Sequence, residues 1–168
     1  IQKLKPKCKV KVIYHEEKLN LSQARNLALN FASNPIIVFV DDDAELPTNI
    51  EYLINTSFRE ENVYIVGAKV IPSCPEKFPL PGVFWALVGG TNKAYPDKII
   101  EIRNAIGCFF AFRRKIIEEV GGLCNFIGFS RTQHGVLSKI GGEDVELSKR
   151  IWIYYRGRKK VIYNPSIT

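Results

Sequence analysis

The sequence predicts an α/β domain with a mostly parallel central sheet and flanking helices. Residues 36–40, Ile-Ile-Val-Phe-Val, are apolar without alternation, which is typical of a strand covered on both faces. Residues 63–70 contain a second apolar run, and helical periodicity lies before and between the two segments. With a further strand expected at 8–14, the order is β-α-β-α-β, which indicates parallel strands joined by right-handed crossovers.

Size and composition are those of an ordinary globular protein. The chain has 168 residues, of which 46% are hydrophobic and 24% charged, and we expect residues 1–168 to form a single domain. No run approaches the ~18 apolar residues that a membrane span needs, and no signal peptide is recognisable. The default expectation is therefore a cytoplasmic protein, with the cytoplasmic face of a membrane as the other location considered.

The first two predicted elements are a lysine-rich strand and a helix. Lysines alternate with mostly apolar residues over 2–12, which predicts a strand whose charged face protects a sheet edge. The following helix should begin near an N-cap at Ser22 and end before Pro35. The apolar positions that recur at helical spacing are Ala24, Leu27, Ala28 and Phe31.

The later elements alternate with two irregular stretches. Residues 71–98 contain five prolines, and 124–142 are rich in Gly, Ser and Thr, so we expect a binding surface from the first and a mobile lid from the second. Helices are predicted at about 47–58, 113–120 and 143–154, and short strands at 99–103 and 108–112.

Three adjacent carboxylates follow the buried strand 36–40. In an extended segment Asp41 and Asp43 face one way and Asp42 the other, which places Asp41 and Asp43 about 7 Å apart. Like charges 4 Å apart repel by up to ~4 kcal/mol at an effective dielectric of about 20, so a cation is expected beside them. Oxygen ligands favour Mg²⁺ or Mn²⁺ over zinc. The alternative is an acidic turn before a helix that begins at Pro47.

A second acidic pair, Glu143 and Asp144, opens the last predicted helix after two glycines. Asp144 shares a helical face with Leu147 and Ile151, which should pack inward, so its carboxylate is expected to project into a cleft. Glu143 lies about 100° around the helix. The alternative is capping, because acids at a helix start stabilise it by a few tenths to ~1 kcal/mol with no further role.

Four segments, in order along the chain, resemble the motifs of family 2 glycosyltransferases with the GT-A fold. They are residues 22–28 (Ser-Gln-Ala-Arg-Asn-Leu-Ala), 40–47 (Val-Asp-Asp-Asp-Ala-Glu-Leu-Pro), 113–123 and 142–150. The resemblance spans about residues 8–167. It implies a Rossmann-like GT-A domain and inverting transfer of a sugar from a nucleotide-diphosphate donor to an acceptor hydroxyl.

The resemblance also implies roles for the acidic residues. Asp41 and Asp43 match the family's Asp-x-Asp, which holds a divalent ion against the diphosphate and the nucleotide ribose. Asp144 matches the general base, which takes the proton of the acceptor hydroxyl as that oxygen attacks the anomeric carbon. These two roles are chemically consistent with each other, because the ion would stabilise the leaving diphosphate while the Asp144 carboxylate accepts the proton.

Five further residues are candidates for substrate binding. Arg25 and Asn26 match a pair near the nucleotide pocket of the family, and Glu143 is expected to contact the acceptor. Asp42 lies within the Asp-x-Asp motif. Arg150 is expected either to pair with Glu143 or to reach a phosphate, although an ordinary surface ion pair is the simpler expectation.

This sequence also departs from the family pattern. Family members begin with a strand, a loop and a helix that form the first βα unit, whereas this sequence begins at what resembles the second strand. A metal-ligating His usually follows the segment matched by 161–165, and neither His15 nor His134 occupies that place. On this basis we expect a partial GT-A domain.

Two other functions stay open. In a metal-dependent phosphatase or phosphotransferase, Asp41 would be the nucleophile and Glu143 with Asp144 a distal metal pair, although Glu45 stands where that class places Thr or Val. A catalytically incompetent glycosyltransferase-like domain that serves in binding or assembly is the other alternative. The departures from the family pattern favour it.

The net charge of +7 bears on the partners. Nothing resembles a nucleic-acid module with interleaved aromatic residues, so no nucleic-acid partner is expected. A basic surface fits a lipid-linked acceptor such as a polyprenyl phosphate, together with peripheral membrane association. A glycan is the other acceptor class considered.

Overall fold

The computed structural model describes residues 9–73, 90–91, 95–128, 130–131, 137–138 and 141–168. The helices are α1 (Leu21–Leu29), α2 (Ile50–Ser57), α3 (Lys115–Val120) and α4 (Glu143–Tyr154). The strands are β1 (Ile36–Val40), β2 (Val63–Ala68), β3 (Ile100–Ile102), β4 (Phe109–Arg113), β5 (Ser130–Arg131), β6 (Leu137–Ser138) and β7 (Lys160–Asn164).

The described part of the chain has one central five-stranded sheet, in the order β1-β4-β2-β7-β3, and a small β5-β6 pair. The predicted α/β class is confirmed, but the sheet is mixed. β4 lies antiparallel between β1 and β2, β3 is antiparallel to β7, and β2 with β7 is the parallel pair. An apolar run shows that a strand is covered on both faces, but it carries no information about the direction of the neighbouring strand.

Both faces of the sheet are covered, as the apolar strands require. On β4, Phe110 and Phe112 pack into one core together with Ile116 of α3 and Leu147 and Ile151 of α4. The alternate residues of β4 enter a second core on the opposite face. That core contains Phe109, Ala111, Val66 and Ile162, with Ile50, Leu53 and Ile54 of α2 packed against it. The expectation of flanking helices is therefore confirmed.

The first helix differs most from its prediction. Asn20, not Ser22, is the N-cap, and it forms a capping box with Gln23. The residues that α1 buries are Ser22 and Arg25, whereas the predicted inner face is open, with Phe31 46% exposed. The ion pairs of Arg25, described below, turn this polar face inward and override the apolar periodicity.

Two other expectations concern the segments around these elements. Residues 9–14 lie outside any strand and are mostly exposed, so the strand predicted at 8–14 is wrong over the described residues. Most of 71–98 lies outside the described residues, as do residues 129, 132–136 and 139–140 of the predicted lid and residues 1–8. Within the described residues, no helix is long and apolar enough to cross a bilayer.

Candidate active site

One end of the sheet gathers the polar residues of four elements. Because β1 and β4 are antiparallel, the carboxyl end of β1 lies beside the amino end of β4. The pairing continues one step beyond the strands, since the Asp41 N–H donates to the Cys108 carbonyl at 3.1 Å. This extra bond holds the first carboxylate of the acidic loop against the Gly107-Cys108 segment.

Arg25 of α1 connects the two acidic motifs. Its Nη1 donates to Glu143 Oε1 at 2.8 Å, and its Nη2 donates to Asp41 Oδ1 at 3.2 Å and to the Gly107 carbonyl at 3.0 Å. The guanidinium carbon also lies 5.1 Å from the ring centre of Phe39. The side chains of Arg25 and Glu143 are only 8% and 6% exposed. Arg25 therefore joins Asp41 and Glu143, which is 118 positions from Arg25 in the chain, into one charged cluster.

The acidic loop opens outward from this cluster. The Asp41 side chain is 41% exposed, and Asp42 and Asp43 are exposed. The extended conformation predicted for these three residues is wrong, because they form a turn in which the Ala44 N–H donates to the Asp41 carbonyl at 3.2 Å. Partial burial raises the pKa of Asp41, the Arg25 cation opposes that shift, and the negative charges of Asp43, Glu143 and Asp42 add to it. The loop therefore carries more negative charge than Arg25 compensates, which favours a further cation on its open side.

Asp144 lies beside Gly107, on the same side as Glu143. A side-chain carbon placed on Gly107 would stand 3.3 Å from Asp144 Oδ2 and 3.7 Å from Glu143 Oε1. The Val145 N–H donates to Asp144 Oδ1 at 2.8 Å. Burial raises the pKa of Asp144, and this backbone hydrogen bond opposes the shift in part. Asp144 is thus a half-buried carboxylate that binds a proton more readily than an exposed one.

The structure brings together most of the residues singled out from the sequence. Arg25, Asp41 and Glu143 are in contact, and Asp144 adjoins the same glycine. One detail of the helical analysis was wrong: Glu143, at 4% exposure, is on the buried face of α4, and Asp144 is the more accessible acid. The reason is that Arg25 draws Glu143 inward.

Asn26 and Arg150 lie apart from the acidic cluster. The Asn26 amide bonds the backbone N–H and carbonyl of Leu123 at 2.8 and 2.7 Å and reaches Asn125 Oδ1 at 2.8 Å. Arg150 pairs with Glu146 and donates to the carbonyls at the end of α3. The ordinary ion pair that was the simpler expectation for Arg150 is therefore confirmed, with Glu146 as its partner. The alternative pairing with Glu143 is wrong, because Arg25 binds Glu143.

Gly107 and Cys108 are the site residues that the sequence analysis missed. Gly107 provides the carbonyl for Arg25 and leaves room for Asp144. Burial raises the pKa of the Cys108 thiol to about 11, with Asp41 and Asp43 adding to the shift, which favours the protonated thiol over the thiolate at neutral pH. Gly107 directly precedes the apolar run 108–112. A glycine at such a position often marks a close approach of backbone, so the sequence did contain a sign of this contact.

The acidic loop offers suitable donor atoms for a hard cation, but only some of the ligands that such an ion needs. Among the described residues, no group of three or more His, Cys, Asp and Glu side chains could hold a metal ion. Asp41 and Asp43 offer carboxylate oxygens, the donors that Mg²⁺ and Mn²⁺ prefer. Two carboxylates with open space around them fit an ion that keeps water or substrate oxygens as its other ligands.

The geometry also bears on the phosphatase alternative. A distal metal pair would need the Glu143 carboxylate, which is buried against Arg25. Asp41, the nucleophile in that alternative, has one oxygen on the same guanidinium. The cluster therefore gives that alternative no support.

Comparison with known proteins shows the family of this chain. The model of "Glycosyl transferase family 2" matches residues 1–121. A "Glucosyl-dolichyl phosphate glucuronosyltransferase" of Haloferax volcanii is 27% identical over 158 residues, which are 91% of this chain and 48% of that protein. The chain thus spans about half the length of this curated relative.

Solved structures show the same fold. Mannosyltransferase PcManGT from Pyrobaculum calidifontis, in complex with GDP-Man and Mn²⁺, matches with a TM-score of 0.58 and 18% identity over 92% of this chain and 37% of that one. GalNAc-T7 with UDP, GalNAc and Mn²⁺ matches with a TM-score of 0.61 and 17% identity over 91% and 30%. At these identities the likeness establishes the GT-A-like fold alone.

Proposed function

The chain belongs to glycosyltransferase family 2, and from this membership we propose that it transfers a sugar, with inversion, from a nucleotide-diphosphate sugar to an acceptor hydroxyl. The observation that carries the proposal is the cluster at Arg25. There, Asp41 and Glu143, from motifs a hundred residues apart, meet at one end of the sheet. Asp144 stands next to Glu143, beside Gly107.

In this proposal Asp41 and Asp43 would hold the divalent ion beside the donor diphosphate. The ion, Mg²⁺ or Mn²⁺, supplies positive charge beside the leaving diphosphate. Arg25 holds Asp41 in place through Oδ1 and leaves its other oxygen available. The exposed carboxylates of Asp42 and Asp43 extend the binding surface toward the nucleotide.

Asp144 is the proposed base. The acceptor oxygen forms a bond to the anomeric carbon from the face opposite the leaving group, and the bond from that carbon to the diphosphate oxygen breaks. The acceptor proton passes to the Asp144 carboxylate, and the nucleoside diphosphate leaves with the bonding electrons. A pKa raised by burial makes Asp144 a stronger base than an exposed aspartate.

The substrate classes follow from the relatives. The two solved neighbours hold GDP-Man or UDP, which supports a nucleotide-diphosphate sugar as donor. The name of the curated relative contains a dolichyl phosphate, which supports a lipid-linked acceptor for this chain over a free glycan. We accordingly infer a place of action at the cytoplasmic face of a membrane.

The test is calorimetry followed by turnover. UDP and GDP are titrated with and without Mn²⁺, and a panel of sugar nucleotides is then assayed for release of nucleoside diphosphate. We expect metal-dependent nucleotide binding that Asp43→Ala weakens at least tenfold, because one of two carboxylate ligands is lost. Glu45→Ala, in the same exposed loop, is the matched control and should bind like the parent.

Two outcomes would contradict the proposal. If no nucleotide produces metal-dependent heat, the domain is a binding or assembly module. If a generic aryl phosphate is hydrolysed while no sugar nucleotide is consumed, the phosphatase alternative is correct.

A further inference from the structure

The carboxyl-terminal half of α4 carries an exposed apolar stripe that faces away from the core. Trp152 is 62% exposed and Ile153 is 68% exposed, whereas Leu147 and Ile151 of the same helix are buried. Lys149 lies three positions before Trp152 and four before Ile153. Arg156 lies four positions after Trp152 and three after Ile153. At helical spacing Lys149 shares one side of α4 with Trp152 and Ile153, whereas Arg156 lies beyond the end of the helix, in the turn after Tyr155, with a φ of +50°. We call these four residues the α4 stripe.

The charge around the stripe has one sign. Residues 149–160 contain six cationic side chains and no acid. Two of the six have acidic partners, since Arg150 pairs with Glu146 and Lys160 with Glu60. In the part of the chain that the structure describes, Lys149, Arg156 and Arg158 form no ion pair, so their charge faces solvent.

The stripe is also held in shape. The Arg156 N–H donates to the Ile153 carbonyl at 3.1 Å, and the Gly157 N–H donates to the Trp152 carbonyl at 3.0 Å. A side-chain carbon on Gly157 would stand 3.5 Å from Trp152 Nε1, so the indole lies against this turn. Gly157 has a φ of +73°, a conformation that favours glycine. The exposed ring and cations therefore have a fixed platform.

We propose that the α4 stripe docks on an anionic lipid surface. Trp at the headgroup level, an aliphatic side chain inserted beside it, and Lys and Arg reaching the lipid phosphates form the usual combination of an interfacial helix. A second copy of the chain is disfavoured, because two stripes would bring like charges together. Nucleic acid would attract the cations but would gain little from Ile153.

Docking along this stripe leaves the acidic cluster open. Asp144 is at the opposite end of α4, a helix of 12 residues and so roughly 18 Å long, and on a different side from the stripe. The inference does not depend on the proposed sugar transfer, and its test needs no enzymatic activity.

The test is co-sedimentation of the purified chain with lipid vesicles. Phosphatidylcholine vesicles are compared with vesicles that also contain phosphatidylglycerol, at low and high salt. We expect binding to the anionic vesicles that weakens with salt. Lys149→Gln with Arg156→Gln should lower the partition coefficient ~25-fold, at roughly fivefold for each cation. Ile153→Gln should lower it about tenfold.

The matched control variants remove comparable exposed side chains at positions away from the α4 stripe. Lys18→Gln with Lys98→Gln removes two exposed charges, and Tyr52→Gln replaces a side chain that is 63% exposed on α2. These variants should partition like the parent, and thermal melts establish that all variants fold.

Three results would overturn the proposal. They are equal binding to neutral and anionic vesicles or to neither, unchanged partitioning of the stripe variants, and losses in the control pair as large as in the stripe pair. Binding to duplex DNA without vesicle binding, weakened by the same stripe substitutions, would instead assign the surface to nucleic acid.

Discussion

At the residue scale, Arg25 is the side chain that holds the parts of the candidate site together. A guanidinium has a fixed fork of donors, and here the fork reaches a buried carboxylate, a half-exposed carboxylate and a backbone carbonyl at the same time. A lysine at this position would offer charge without that geometry. The resemblance places Arg25 near the nucleotide pocket, and the contacts show that it also positions Asp41 and Glu143.

Asp144→Asn separates stability from catalysis. The raised pKa means that the folded chain holds this proton more tightly than the unfolded chain does, so the ionised carboxylate lowers stability above that pKa. This loss disappears as the pH falls through the folded pKa. Because Asn is neutral and its Oδ1 can still accept the Val145 N–H, the variant should melt no lower than the parent at neutral pH.

The same variant should lose sugar transfer by at least a hundredfold, since the neutral Asn amide cannot accept the proton of the acceptor hydroxyl. Transfer by the parent should decline as the pH drops through the raised pKa of Asp144. Glu51→Gln, an exposed acid of α2, is the control and should change neither property. Full transfer activity in the Asn variant would remove Asp144 from the mechanism.

Asn26→Ala tests whether this residue acts on structure or on substrate. Its amide makes three hydrogen bonds to the segment after α3. Their loss leaves backbone groups of Leu123 unpaired, so we expect a decrease of about 1–3 kcal/mol in the free energy of unfolding, measured in urea.

Asn49→Ala is a comparison at a position whose side chain makes no capping bond, and it should change stability little. Normal stability with lost nucleotide binding in the Asn26 variant would instead support the substrate role that the family resemblance implies.

At the element scale, the buried ion pair couples α1 to α4. Removing one partner of such a pair leaves an uncompensated charge inside the protein, which costs about 3–5 kcal/mol. Arg25→Ala should lower the free energy of unfolding by this amount in urea. Adding Glu143→Gln removes the stranded charge and should recover more than about 1 kcal/mol of it, as coupled neighbours do.

An exposed pair provides the control for this cycle. Arg114 Nε lies 3.6 Å from Glu118 Oε1 of α3, and the two side chains are 40% and 63% exposed, far more than those of Arg25 and Glu143. Arg114→Ala should therefore cost about 0–1 kcal/mol. Strictly additive effects of Arg25→Ala and Glu143→Gln would show that the contact does not couple the two helices.

At the scale of the whole molecule, one sheet supports two cores. Because alternate residues of β4 enter opposite cores, neither face can lose its packing without disturbing the other. Leu147→Ala on one face and Ile162→Ala on the other should each cost about 2–5 kcal/mol and shift one shared unfolding transition.

Circular dichroism and tyrosine fluorescence measured across a urea gradient check this expectation, and their midpoints should coincide in each variant. Ile99→Ala, at a side chain 56% exposed, is the control and should leave the midpoint nearly unchanged. Two separate transitions in either core variant would show that the faces unfold independently.

The local pattern of the sequence determined where most elements and both acidic motifs lie. Apolar runs located β1 and β2, and the paired glycines located the start of α4, because these signals depend on near neighbours in the chain. The family motifs likewise identified the carboxylates of the site. Each motif is a short run of neighbouring residues, so it can be recognised in the sequence without knowledge of how the chain packs.

Tertiary structure alone decided how these parts meet. The insertion of β4 between β1 and β2, the inward turn of Arg25 and the close approach at Gly107 all depend on partners distant in sequence. A buried ion pair between residues 118 positions apart outweighed the apolar periodicity of α1. Helical periodicity is a property of one segment, whereas the energy of a buried charge depends on what the rest of the fold places beside it.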